Sequence, residues 1–275
     1  MSRYRWRSHL TLLAAVLVMA YPLAWLVGSS FKPENQIFTT VNPFPFHPTI
    51  DNYRSGWNAT GTSFTVYLVN SGVVALGAVV GNVLSCALAA YAFARLDFAL
   101  RKVWFALMLG TLMLPFQATL IPQYALFYKL NWINTYLPLI VPQFLAVDAF
   151  FVFLMVQFIR GIPKELDEAA AIDGAGHLRI FRTIVLPLLR PALITTTVLT
   201  FIWTFNDFLR QLVYLSDNTR YTVPLGLNSF IDKASGSSYG GMLAMSVVTL
   251  VPTVVVFLIF QKRLTEGVAT TGFKG

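Results

Sequence analysis

Long apolar runs alternate with short polar breaks along nearly the whole chain. The runs fall at about 10–30, 66–94, 103–127, 136–159, 191–214 and 242–261. Each is close to the roughly 20 residues that an α-helix, rising 1.5 Å per residue, needs to cross about 30 Å of hydrocarbon. The pattern predicts an all-α, polytopic membrane protein with about six transmembrane helices. Short connectors put all of them in a single domain, 1–275, and no internal repeat is discernible. The first run, Leu10 to Ser30, exceeds the usual apolar segment of a signal peptide and is expected to stay attached as the first span.

Composition agrees with burial in lipid: 56% of residues are hydrophobic and 12% charged, against roughly 25% charged in an ordinary soluble domain. The net charge of +8 does not point to nucleic acid, because Lys and Arg form short clusters beside apolar runs and build no basic face or Arg-rich arm. They sort by side instead. Arg3, Arg5, Arg7, Arg95, Arg101, Lys102, Arg160, Lys164, Arg179, Arg182, Arg190, Lys262, Arg263 and Lys274 lie on one side; Lys32, Arg54, Lys129, Arg210, Arg220 and Lys233 lie on the other. Positively charged loops stay in the cytoplasm, so both termini are expected there, in a multi-pass protein of the cell membrane. Cys86 stands alone in an apolar run, and His9, His47 and His177 have no ligand-like spacing, so neither a disulfide nor a metal site is expected.

The longest cytoplasmic connector, 160–190, is the most informative stretch. Pro163 begins a helix whose first turn holds Glu165, Asp167 and Glu168 near the positive end of the dipole. Gly174 and Gly176 permit the turn that ends it. A second segment, His177 to Leu189, places Ile180, Phe181, Ile184, Val185 and Leu188 at helical spacing before Pro187 and Pro191 stop or kink it.

This stretch also carries a resemblance. Glu168-Ala169-Ala170, three residues, Gly174, nine residues, Ile184, one residue and Leu186-Pro187 reproduce the spacing of the EAA loop of ABC importer permeases. Tyr21-Pro22, Ser30-Phe31-Lys32-Pro33, Asn52-Tyr53, Asn70-Ser71, Ala90-Tyr91-Ala92-Phe93-Ala94-Arg95, Ile121-Pro122, Asn206-Asp207-Phe208 and Gly272-Phe273-Lys274-Gly275 are similar to the carbohydrate-uptake branch, in particular the six-span subunit of the maltose type. The resemblance implies a type I ABC importer permease fold, with 160–190 as the EAA coupling loop and 262–275 as a cytoplasmic tail. By position, Glu168, Ala169, Ala170, Asp173, Gly174, Ile184, Leu186 and Pro187 carry over as the ATPase-coupling loop, and Gly272, Lys274 and Gly275 as the ATPase-contacting tail. It further implies a second homologous permease subunit, two cytoplasmic ATPase subunits, an extracellular or periplasmic solute-binding protein, and a sugar or polyol derivative as substrate. Leu154-Met155-Val156-Gln157-Phe158 and Arg210-Gln211 depart from the family pattern.

No G-x-x-x-x-G-K-[ST] phosphate loop occurs in the chain. No cofactor is therefore expected on this chain; ATP and magnesium belong to the partner ATPase.

Polar residues inside apolar runs are candidates for a translocation pathway, because charge within hydrocarbon is costly and faces protein or water. Asp148 sits about twelve residues into the fourth run. In the fifth, Asn206 and Asp207 stand near Trp203, an aromatic and polar pairing suited to sugar hydroxyls, and Arg210 is placed to pair with Asp207. Gln123 joins this set, and Asn70, Asn82, Gln117, Gln143 and Gln157 suit either a wet path or interhelical hydrogen bonds. An ion-coupled transporter using Asp148 leaves the EAA spacing unexplained and lacks a visible inverted repeat. A lipid-headgroup transferase, suggested by Asp173-Gly174, is opposed by His177 and Leu178 where its motif continues with other residues.

Overall fold

A computed structural model describes residues 2–45, 47–231 and 238–269; the tail residues Gly272, Lys274 and Gly275 lie outside the described residues. In chain order the helices are α1 (Ser2–Ser29), α2 (Asp51–Gly56), α3 (Phe64–Arg95), α4 (Arg101–Thr111), α5 (Phe116–Lys129), α6 (Leu137–Ile140) and α7 (Ala149–Arg160). They continue with α8 (Glu165–Ile172), α9 (His177–Ile180), α10 (Leu186–Leu188), α11 (Arg190–Phe205), α12 (Leu209–Tyr214), α13 (Val223–Asn228) and α14 (Tyr239–Ala269). No strand occurs among the described residues.

Four stretches are long and apolar enough to cross a membrane: Ser8–Ser29, Phe64–Arg95, Leu137–Arg160 and Tyr239–Lys262. Two bent pairs bring the number to six if each is one span, α4 with α5 at 102° and His177–Leu188 with α11 at 75°. Proline explains both bends. Pro115 is extended, with φ −65° and ψ 133°, and as a proline it lacks the backbone N–H that a helix continuing through this point would need. Pro187 and Pro191 flank the second bend and remove backbone donors there.

Three runs expected to be continuous are thus interrupted. The third is bent at Pro115. The fourth opens with α6 and a 3-10 turn, Val141–Leu145, before Ala146 takes a left-handed φ of 52°; its long helix starts only at Ala149, with Asp148 as N-cap. The fifth ends at Phe205, and Asn206-Asp207-Phe208 separates it from α12.

The chain divides into two compact units, one from residues up to Val69 with Tyr221–Pro252, the other from Asn70–Arg220 with the chain from Thr253 on. In the first, the side chain of Asn52 donates to the carbonyls of Ser30 (2.9 Å) and Lys32 (2.7 Å), and the buried Lys32 ammonium donates to the carbonyl of Asn42 at 2.7 Å. The Glu34 carboxylate accepts the backbone N–H groups of Tyr239 (2.7 Å) and Gly240 (2.8 Å). That places negative charge at the positive end of α14.

In the second unit, Cys86, Ala87, Ala90 and Tyr91 of α3 pack against Phe151, Val152, Met155, Val156 and Ile159 of α7, and against Phe181, Val185 and Leu189 from the segment leading into α11. The opposite stripe of α3, including Val73, Leu76, Val80, Leu84 and Leu88, is exposed. A face of that kind suits lipid. Gly77 and Gly81 let α3 approach 140–144 closely: a Cβ on Gly81 would lie 2.6 Å from the Phe144 ring, and one on Gly77 3.0 Å from Ile140. One turn further along α3, the Ser85 hydroxyl donates to the Gln143 carbonyl at 2.8 Å. Small residues are how membrane helices bring backbones together, and here they set one wall of the site.

Candidate functional site

The second unit encloses a cavity of about 590 Å³. Its polar lining includes Asn82 of α3, Gln143 and Asp148 ahead of α7, and Thr200 of α11. Asn206, Asp207 and Arg210, where the chain breaks between α11 and α12, complete it, and Phe116, Phe151 and Trp203 supply aromatic surface.

The breaks before α7 and after α11 supply Gln143, Asp148, Asn206 and Asp207, because each break frees backbone and side chains from the apolar register. The Asn206 amide donates back to the Ile202 carbonyl at 2.8 Å. Asp207 Oδ1 accepts the Arg210 backbone N–H at 3.2 Å, capping α12, and its Oδ2 lies 3.6 Å from Arg210 Nε. The Arg210 guanidinium sits 4.4 Å from the centroid of the Phe116 ring, a cation–π contact that holds it over the cavity wall. Trp203 packs on Phe151 and Phe150, with centroids 5.3 and 6.0 Å away, yet is 51% exposed. Its ring is therefore presented as a surface. Asn82 is buried and donates to Thr200 Oγ1 at 2.9 Å, joining α3 to α11.

Of the five pathway residues expected from sequence, Trp203, Asn206, Asp207 and Asp148 line this cavity and Gln123 does not. Gln123 instead accepts the Tyr214 hydroxyl (3.3 Å) and donates to Thr119 Oγ1 (3.3 Å). Its amide is used within the helix packing, which sequence position alone does not reveal. Asp148 stands at a helix start and not in mid-helix, because α7 begins later than the apolar run. Asn82 and Gln143 were legible as amides in apolar runs. Thr200, Phe116 and Phe151 gave no signal that separated them from ordinary packing residues.

The 160–190 connector forms the other candidate surface. Helix α8 carries Glu168, Ala169 and Ala170, with Glu168 and Ala169 exposed. It ends where Gly174 takes φ +80°, with Gly174 N–H donating to the Ala171 carbonyl (3.0 Å) and Ala175 N–H to that of Ala170 (2.9 Å). A left-handed glycine after a helix is the usual way such a turn closes. Asp173 is exposed on this turn, while Ile184 and Leu186 are half-buried and Pro187 is exposed in the following segment. Beneath α8, Arg95 Nε lies 2.5 Å from Asp167 Oδ2, in a cleft of about 240 Å³ also lined by Tyr91, Lys164 and His177. In the sequence Arg95 reads as an orienting charge and Asp167 as a helix-start charge, and nothing there pairs them.

Residues 81–269 match the family of binding-protein-dependent transport system inner membrane components. The chain belongs to this family. The matched span contains the whole cavity lining and the whole 160–190 connector. A probable ABC transporter permease of Bacillus subtilis is 35% identical over 262 residues, covering 94% of this chain and 85% of that protein. An arabinooligosaccharide transport system permease of Halalkalibacterium halodurans is 35% identical over 94% of this chain and 92% of its own. A trehalose/maltose transport system permease of Thermococcus litoralis is 33% identical, with 94% and 93% covered. Among solved structures, a bacterial ABC transporter involved in import of the acidic polysaccharide alginate superposes with a TM-score of 0.81 at 21% identity, over 94% of this chain and 95% of that one. That likeness establishes the fold. The protein is a multi-pass membrane permease subunit of an ABC importer.

Proposed function

We propose that this permease moves a sugar or sugar derivative, delivered by an extracellular solute-binding protein, through the cavity walled by α3, α7, α11 and α12. The observation that carries the reading is the composition of that cavity. The exposed Trp203 ring stands beside Asn206, Asp207 and Arg210. An aromatic face packs on the C–H face of a sugar, while amide, carboxylate and guanidinium groups exchange hydrogen bonds with its hydroxyls. A volume of about 590 Å³ is within the range that small-molecule sites occupy.

Energy is supplied elsewhere. Two cytoplasmic ATPase subunits hold ATP and magnesium and press on α8 and the Gly174 turn, while a second homologous permease completes the pathway. The exposed Ala169 and Glu168 support this role: a small residue lets another subunit approach, and a carboxylate beside it orients the contact. The clusters of Lys and Arg at 95–102, 160–190 and 262–263 support a cytoplasmic side that includes both termini.

The test is uptake by the assembled transporter in proteoliposomes, with maltotriose, trehalose and arabinotriose as probes. The wild type should take up at least one probe only when ATP is present. Glu168→Lys should abolish stimulation of hydrolysis, and Trp203→Ala should lower uptake while leaving assembly intact. Uptake by the chain alone, without ATPase subunits, would refute the reading.

A further inference from the structure

Helix α8 has no buried residue, so apolar packing does little to hold it. Ile162, Ala170 and Ala175 are only partly buried against the core around Tyr91 and Phe181. Charge does the holding. Arg95 is the last residue of α3, and its side chain is 6% exposed; that of Asp167 is 16% exposed. The guanidinium faces Asp167 through Nε and donates through Nη2 to the Ile162 carbonyl at 2.7 Å. One side chain therefore grips both α8 and the chain entering it. Arg95 Nε and Asp167 Oδ1 are both buried without a hydrogen-bond partner, so the two side chains meet as an ion pair and each charge relies on the other for compensation. Two further ion pairs, Arg101–Asp97 and Arg210–Asp207, join near neighbours in sequence and are more exposed.

The far end of this grip is the cavity. From Arg95 back to Asn82, α3 runs about 20 Å of unbroken helix, and Asn82 lines the cavity and bonds Thr200 of α11. Tyr91, one turn before Arg95, packs on Phe181 with centroids 5.1 Å apart. Displacement of α8 is thus delivered to a rigid rod that forms a cavity wall.

We propose that Arg95 is a positioning residue for transport coupling: through Asp167 it ties α8 to α3, so that movement imposed on the cytoplasmic helix reaches the cavity. The coupling role rests on the reading of α8 as the surface met by the ATPase. The tie itself does not.

Two readouts test it on the assembled transporter in nanodiscs or proteoliposomes. A spin label at Ile172→Cys, a position 87% exposed while the native Cys86 is buried, reports the order of α8 directly. Arg95→Gln and Asp167→Asn should each raise label mobility, and the swap Arg95→Asp with Asp167→Arg should restore it. In the uptake assay, the single variants should lose about tenfold or more in probe transported per ATP, with the swap recovering to within about threefold of wild type. Loss of ATPase association in a single variant, regained in the swap, also supports the tie. Unchanged mobility in both single variants, or a swap no better than the worse of them, overturns the proposal. If mobility follows the pair while Glu168→Lys leaves hydrolysis untouched, the tie stands and the ATPase-docking reading fails.

Discussion

Replacing Gly174 with alanine should loosen the turn that ends α8 without any steric clash. The residue has φ +80°, and a Cβ built there meets nothing within 4 Å. The cost is therefore conformational alone, about 1–2 kcal/mol for a residue with a Cβ in the left-handed region. Such a cost lowers the closed turn's equilibrium against its open form by a factor of roughly 5–30. Two hydrogen bonds depend on that closure, Gly174 N–H to the Ala171 carbonyl and Ala175 N–H to the Ala170 carbonyl. Amide hydrogen exchange of the 165–180 segment in the intact transporter measures them, since local opening sets protection. Gly174→Ala should reduce protection by about 5–30-fold. Gly174→Asn should cost less, because asparagine visits this region more readily, and Gly174→Val should cost more. ATP-driven uptake should fall in the same order. Equal protection in wild type, Gly174→Ala and Gly174→Val would refute the reasoning.

Asn82→Ala should destabilise the permease by roughly 0.6–2 kcal/mol, the range for interhelical hydrogen bonds in membranes, because it strips partners from the buried Thr200 hydroxyl and from the Cys86 thiol that donates to Asn82 Oδ1. Thermal unfolding in detergent checks this, and adding Thr200→Val should recover part of the loss. Outside the spans, the Thr219 backbone N–H (2.9 Å) and hydroxyl (2.8 Å) donate to Asp217 Oδ1 and hold its carboxyl below the usual carboxylate range. The fold favours the charged form, so the contribution to the 217–220 turn is complete above the unfolded value, about 3.9, and is lost as pH falls through the lower folded value. A side-chain carbon titration of Asp217 by NMR should give a midpoint below that of an unstructured aspartate, and Thr219→Val should raise it.

Legibility differed by the range of the interaction. The EAA spacing at 168–187 was visible because its residues are close in sequence, and the left-handed Gly174 follows from the lack of a Cβ. Span positions were visible because lipid imposes a length of apolar chain on any helix that crosses it. Where polar residues or proline interrupt a run, that logic stops: the 102° turn at Pro115, the late start of α7 at Ala149 and the end of α11 at Phe205 all fall inside runs that hydropathy joins. Gln123 and Asn82 look alike in sequence, yet one is bonded to Tyr214 and the other lines the cavity.

By itself the sequence determined the class of protein, its orienting charge pattern and its family, since hydrophobic length, Lys and Arg placement and motif spacing are all written locally along the chain. Tertiary structure alone decided which polar groups converge on the cavity and which cation pairs with α8. Asp148 and Asp207 meet Asn82 there, and Arg95 meets Asp167, only because the breaks before α7 and after α11 and the close packing allowed by Gly77 and Gly81 bring distant segments together. Those meetings depend on side-chain volume and backbone direction at several sites at once, which no single stretch of sequence encodes.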